Sequence, residues 1–238
     1  MKTKLQFPSG ETDRGYIDMK KLFYRTIAAT GTLLAPVAAF AHHPLAGAPM
    51  ESFADGLLSG IGHPLLGFDH LFFVIAVGIA ALFTARRFAS PAAYIAAMLI
   101  GCFAMSIGYG LPVKEFVIAA SLAVIGGAIL RGKGLGTVPA VALFAGFGLF
   151  HGSAFGDTLA SQEAAMGGQV LVGYLIGLGA IQFAIIISAG WVIQRAIKVA
   201  DASDVRARLA GAMVAGIGAF LILESLEGAA FAALGIAN

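Results

Sequence analysis

The chain has 238 residues, of which 59% are hydrophobic and 12% are charged, whereas about a quarter of a soluble globular domain is charged. Because so little polar surface does not cover a water-facing exterior, a soluble globular protein is excluded, and the mean hydropathy of +0.89 predicts an integral membrane protein. From residue 42 onward the chain has nine basic and ten acidic residues, so no basic surface for nucleic acid is expected.

The amino-terminal residues predict an export signal. Residues 1–18 are polar and aperiodic, and we interpret them as an upstream extension. Residues 19–41 have a basic start and an apolar run that is too short to span a bilayer comfortably. The run ends in Ala39-Phe40-Ala41, the small-x-small pattern of signal peptidase sites, so cleavage is expected to leave His42 as the first residue. An uncleaved anchor helix is the alternative.

Charged residues beyond the signal peptide fall in clusters, and the gaps between clusters are long enough for membrane helices of about 20 residues each. The predicted fold is an all-α integral membrane protein. It is a compact bundle of six transmembrane helices within residues 63–238, preceded by a periplasmic amino-terminal segment over 42–62. The six helices are predicted at 64–85, 90–111, 113–131, 137–157, 168–194 and 207–232.

The distribution of lysine and arginine predicts the orientation of these helices. The alternate loops contain only Lys114, whereas the loops after the first, third and fifth helices contain Arg86, Arg87, Arg131, Lys133, Arg195, Lys198, Arg206 and Arg208. Since basic loops stay in the cytoplasm, we expect a multi-pass protein of the bacterial inner membrane with both mature termini in the periplasm.

Glycine residues recur at regular intervals within and near the predicted helices. Gly148, Gly152 and Gly156 are spaced four residues apart, and so are Gly173 and Gly177. The same spacing separates two glycines just before the first predicted helix, Gly56 and Gly60. Such rows allow helices to approach closely, so they favour a compact bundle over a loose one.

Polar side chains in the predicted spans are the candidates for function, because a charged side chain at the bilayer centre costs about 2.5 to 3.5 kcal/mol on insertion scales. The densest group is HPLLGFDH, from His63 to His70, which includes Asp69. We expect Pro64 to begin the helix. On an unbroken helix the two histidines lie about 10.5 Å apart along the axis, so one ion contacts both only if the helix breaks at Pro64 or Gly67.

Imidazole and carboxylate groups together are ligands of divalent nickel, cobalt, zinc and copper. We therefore interpret His63, Asp69 and His70 as metal ligands. His151 joins them, because it lies at a similar depth in the fourth predicted helix. Hydrogen-bonding roles without a metal are the alternative for all three histidines. Additional metal or gating residues are predicted at His42, His43, Asp157, Glu224 and Glu227.

The segment HPLLGFDH resembles the HPxxGxDH signature of the HupE/UreJ family of bacterial nickel and cobalt permeases at every fixed position. The export signal and the six predicted helices are also similar to that family. Its second motif is approximately FHGxAHGxE, and this chain has Phe155 and Thr158 where histidine and glutamate are usual. Asp157 is one position earlier than the missing carboxylate. The other residues of that motif are matched by Phe150, His151, Gly152, Ala154 and Gly156.

The resemblance implies a secondary permease or channel-like transporter, not an enzyme. Its substrate would be a divalent metal, nickel or also cobalt, and its other partner would be the lipid bilayer, with no permanently bound cofactor. ATP hydrolysis is not expected, because the chain has no GxxxxGK[ST] phosphate loop. One alternative is a membrane metal sensor or delivery partner that does not transport. The other is an intramembrane metalloenzyme, for which five histidines are few.

Overall fold

A computed structural model describes residues 49–160 and 167–235. The described residues form helices and no strand, which confirms the all-α class. The predicted upstream extension, the signal peptide, His42 and His43 lie outside the described residues. The helices are α1 (Phe53–Leu66), α2 (Phe68–Leu82), α3 (Ala89–Ser106), α4 (Lys114–Leu130), α5 (Thr137–Ala160), α6 (Gly168–Trp191), continued by a π-helical turn (Val192–Ala196), and α7 (Val205–Ala233).

Four helices in the described ranges are long and apolar enough to cross a membrane: α3, α5, α6 with its π-helical turn, and α7. Helices α1 and α2 pass the same test together, but their axes are bent by 83° at the break between them. Helix α4 is apolar and has 17 residues. Length and composition therefore support a membrane protein.

The prediction of one continuous first helix over 64–85 was wrong. Pro64 lies inside α1, and the helix is interrupted at Gly67, whose backbone is extended (φ −89°, ψ 99°). Helix α1 begins at Phe53 because Ser52 and Asp55 form a capping box. The Ser52 hydroxyl accepts a hydrogen bond from the Asp55 backbone N–H, and the Asp55 carboxylate accepts one from the Ser52 backbone N–H.

The glycine rows are the sites of closest helix contact, as the sequence predicts. A Cβ atom built on Gly152 would lie 1.9 Å from the Met98 carbonyl oxygen, so α3 and α5 touch through their backbones. Likewise, a Cβ on Gly56 would lie 2.2 Å from the Val170 carbonyl oxygen, which joins α1 to α6. Helices α4 and α7 meet in the same way at Gly126 and at Gly218.

The glycine contacts also define the directions of the paired helices. Along α1 and α6 the contacting residue numbers rise together, from the Gly56 and Val170 contact to the Gly60 and Tyr174 contact, so these helices are parallel. Helices α3 and α5 are parallel by the same criterion. Helices α4 and α7 are antiparallel, because Gly126 meets Ala215 whereas Ala123 meets Gly218.

Helix α2 lies at the centre of the described helices and contacts all of the others. Its side chains are buried around nearly the whole circumference, with His70 and Phe73 among them. A helix that is apolar on all sides is typical of such a central position. Further along the chain, Gly78 of α2 contacts Ile186 of α6, so α1 and then α2 follow α6 from its start toward its end.

We predict that Gly152→Ala destabilises the protein by about 1 to 3 kcal/mol, because the added methyl group overlaps the Met98 carbonyl oxygen and forces α3 and α5 apart. The measurement is thermal unfolding in detergent. The matched control is Gly146→Ala on the same helix. No atom of the described residues lies within 4 Å of a Cβ added there. Equal melting temperatures for the two variants would contradict the close contact.

Candidate metal site

The break at Gly67 brings His63 and His70 together. Their ring centroids lie 6.3 Å apart, with the rings nearly perpendicular. His70 is buried, whereas His63 is half-buried. A Cβ on Gly67 would lie 3.0 Å from Cδ2 of the His70 ring, so a residue without a side chain leaves room for that ring. The two rings are therefore closer than on an unbroken helix, as is necessary for one ion to approach both histidines.

Tyr174 of α6 orients the His63 ring. The Tyr174 hydroxyl lies 2.8 Å from His63 Nδ1, and it donates a hydrogen bond to the Phe155 carbonyl oxygen at 3.1 Å. A phenol has a single proton to donate, so His63 Nδ1 is assigned as the donor to the hydroxyl oxygen. The lone pair of the neutral His63 imidazole then lies on Nε2.

A second hydrogen-bond chain assigns the proton of His70. Ser121 Oγ donates to the Ile118 carbonyl oxygen at 2.6 Å, so at 3.0 Å it accepts from His151 Nε2. His151 Nδ1 therefore accepts from His70 Nδ1, at 2.9 Å. The lone pair of His70 is left on Nε2, as for His63.

His151 has both of its ring nitrogens in this chain of hydrogen bonds. It is fully buried, and its ring stacks on Phe73 at a centroid distance of 4.1 Å. The sequence predicts His151 as a metal ligand, and the structure places its ring in hydrogen-bond contact with His70 and Ser121. Groups that hold the second nitrogen of a metal-binding histidine set its tautomer and orientation.

Phe155 lies against both candidate ligands. Its ring centroid is 5.1 Å from that of His63 and 4.3 Å from that of His70, and the side chain is fully buried. Position 155 therefore faces the histidine pair. The imidazole that the second family motif would supply here is replaced by an apolar wall.

The carboxylates predicted as metal or gating residues occupy different places. Asp69 is half-buried in the first turn of α2, where Oδ1 accepts the backbone N–H of His70 at 2.8 Å. Asp157 forms an ion pair with Lys114, with an Nζ to Oδ2 distance of 2.5 Å. Glu224 and Glu227 are exposed on α7. Nowhere in the described ranges do three His, Cys, Asp or Glu side chains converge as a metal site.

Sequence reasoning missed Tyr174 and Ser121, which orient the histidines. Both are buried polar residues inside predicted membrane helices. The cost of polar groups in the bilayer, which singles out the histidines, applies to hydroxyl groups to a smaller degree. A search of the predicted membrane helices for all polar side chains, hydroxyl groups included, would therefore have identified these two residues.

The site lies within a region that is similar to a known protein family. The family model for HupE / UreJ proteins matches residues 30–221, which include every residue of the two hydrogen-bond chains. The chain belongs to the HupE/UreJ family. A HupE/UreJ relative, Protein HupE of Rhizobium leguminosarum bv. viciae, is 30% identical over 190 residues, which are 79% of this chain and 95% of that protein. No solved structure matches the chain.

The hydrogen-bond chains of this HupE/UreJ protein predict its histidine tautomers. In ¹⁵N spectra of the histidine-labelled protein without metal, we expect the proton on Nδ1 of His63 and His70, and on Nε2 of His151. Ser121→Ala should alter the His151 signals, because it removes the acceptor of the Nε2 proton. Ser106→Ala is the control, since that hydroxyl bonds to the Phe103 carbonyl oxygen at an exposed position. A proton on Nε2 of His70 would contradict the assignment.

Proposed function

We propose that this protein imports a divalent transition metal, nickel or also cobalt, across the bacterial inner membrane without hydrolysing ATP. The observation that carries the proposal is the pair of His63 and His70. Each neutral ring is assigned as a hydrogen-bond donor through its Nδ1 atom, to Tyr174 from His63 and to His151 from His70. Both Nε2 lone pairs are therefore suited to bind a metal. Neutral imidazole is a preferred ligand of nickel and its neighbours in the first transition row.

Such a site is suited to passage of the ion more than to permanent binding. Two imidazoles, with the Asp69 carboxylate nearby, leave coordination positions for water. Structural metal sites, by contrast, are closed by four protein ligands. Transport requires an ion to bind well enough to enter and weakly enough to leave.

We infer six membrane spans, with α1 and α2 forming one broken span and α4 contributing another. At 17 residues α4 is about 25 Å long, slightly less than the hydrocarbon core. In six alternating spans the first is parallel to the fifth and the second to the fourth, whereas the third is antiparallel to the sixth. The contacts of α1 with α6, α3 with α5 and α4 with α7 support this order.

The basic loops support a periplasmic position for the histidine site. Arg86 and Arg87 follow the end of α2, and Arg195 follows the end of α6, so those ends are assigned to the cytoplasm. The histidines then lie toward the outer side. An inside-negative potential contributes about 2.3 kcal/mol per charge per 100 mV, which drives a divalent cation inward.

We expect His70→Ala and Asp69→Ala variants that insert normally to lose most nickel uptake, since each removes a proposed ligand. The measurement is uptake of Ni²⁺ and Co²⁺ into sealed proteoliposomes with an imposed membrane potential. Asp201→Asn, in the loop before α7, is the control for loss of a carboxylate. Metal binding without uptake by the unaltered protein would favour a sensor or delivery partner, and full uptake by both variants would exclude this site.

Phe155→His should increase nickel affinity, because the new imidazole would face His63 and His70. Phe155→Leu is the matched control, since it alters the same wall without adding a ligand. Nickel binding to the purified protein can be followed by equilibrium dialysis. An unchanged affinity in a correctly folded Phe155→His protein would show that the histidine pair does not bind the ion.

A further inference from the structure

Three buried polar atoms have no hydrogen-bond partner within the described part of the chain. They are Ser59 Oγ, Ser90 Oγ and Gln182 Nε2. Buried polar groups in proteins are nearly always paired, so an unpaired one indicates a strained, wet or ion-binding position. Their number in the described ranges is small enough that each calls for an explanation.

The two unpaired serines differ from the other hydroxyl groups of these helices. A hydroxyl in a helix ordinarily bonds to a carbonyl oxygen three or four residues earlier. Ser59 and Ser90 make no such bond and are fully buried. The hydroxyls that do make it, among the described residues, include those of Thr84, Ser106, Ser121 and Ser225.

The three unpaired atoms lie on helix faces that lead to and from the histidine site. Ser59 precedes His63 by one turn on α1. Gln182 follows Tyr174 by two turns on the same buried face of α6, with Leu178 between them. Residues four apart on a helix share a face, so this spacing places the polar groups in line with the site.

Gln182 is joined to Tyr94 across the contact between α3 and α6. The Tyr94 hydroxyl donates a hydrogen bond to Gln182 Oε1, and both side chains are fully buried. The Tyr94 ring lies 6.2 Å from the His151 ring, between centroids. Ser90 is one turn before Tyr94 on the buried face of α3. The pair is therefore a polar layer next to the histidine layer.

An open cavity begins one turn beyond this pair. It has a volume of about 240 Å³ and is lined by Gly78, Ile186 and Gly190, with Arg87 and Arg195 among the other lining residues. Ile186 follows Gln182 by four residues on the buried face of α6. In the proposed orientation the cavity faces the cytoplasm. The two guanidinium groups would lower the local cation concentration, which favours release over rebinding.

We propose that the Tyr94–Gln182 pair is the inner constriction through which a divalent cation, with water, passes from the histidine site to this cavity. This proposal rests on the transport function proposed above. Ser59 lies on the approach to the site, and Ser90 lies beyond the constriction. Hydroxyl and amide oxygens bind such ions more weakly than imidazole does, which suits a point of passage.

The unpaired amide nitrogen is consistent with this role. Rotation of the Gln182 amide exchanges its carbonyl oxygen and its NH₂ group. One orientation accepts the Tyr94 proton and closes the layer, as in the structure. The other directs the carbonyl oxygen away from Tyr94, where it can contact a passing cation. An amide held only for packing would have its nitrogen paired.

The test is the double variant Tyr94→Phe with Gln182→Leu. Removing both partners of a buried hydrogen bond together is close to neutral for stability, so the variant is expected to fold and to keep wild-type Ni²⁺ affinity in equilibrium dialysis. Its initial rate of Ni²⁺ uptake into proteoliposomes should fall about tenfold or more, because an apolar layer replaces the polar one. Ser225→Ala, on the exposed side of α7, is the control.

The single variants give a second measurement. Gln182→Leu alone is expected to lower the melting temperature, because the buried Tyr94 hydroxyl loses its acceptor, and adding Tyr94→Phe should restore stability without restoring uptake. A merely structural pair predicts instead that uptake recovers in the double variant together with the melting temperature. Wild-type uptake by the double variant would overturn the constriction alone. Binding without any uptake by the unaltered protein would overturn both the constriction and the transport function.

Discussion

The chain is interrupted at Gly67, between α1 and α2. On one straight helix His63 and His70 would lie two turns apart, but across this break their rings face the same region. The interruption is sharp, with an angle of 83° between the two axes. It puts His63 on one segment and His70 on the other, so packing of α1 and α2 against α6 controls the distance between them. The contact of the His63 and His70 rings with each other and with Phe155 therefore depends on that bend.

A bend in a membrane helix needs neighbours that satisfy or cover the freed backbone. Here the neighbours approach through glycine. The contacts of Gly56 and Gly60 hold α1 to α6 before the bend, and Gly78 holds α2 to α6 after it. In the other helix pair, Gly152 allows α5 to approach α3 closely, and His151 lies on the same turn of α5. Close backbone packing therefore fixes the positions from which the imidazole groups meet.

The buried polar groups form two kinds of layer with different chemistry. The histidine layer contains imidazoles held by Tyr174 and Ser121, and each of those imidazoles has a hydrogen-bond partner. The second layer contains Tyr94 and Gln182, and its hydrogen bonds are incomplete. In a low-dielectric interior a fully paired network is rigid, whereas an unpaired polar group is costly and is retained where a ligand or water compensates. This difference supports our proposal that the histidines bind the ion and that Tyr94 and Gln182 form the constriction through which it passes.

The sequence by itself determined that this is an all-α membrane protein, that its glycine rows are contact surfaces and that His63 and His70 are unusual. Those properties follow from hydropathy, spacing and the cost of polar groups in lipid, which are local along the chain. Only the tertiary structure decided where the first helix breaks, that His151 bonds to His70, and that Lys114 engages Asp157. The reason is that the hydrogen-bonding partners of the histidines lie 30, 81 and 111 residues away in the chain. A pattern within one helix carries no information on which distant side chain will meet it.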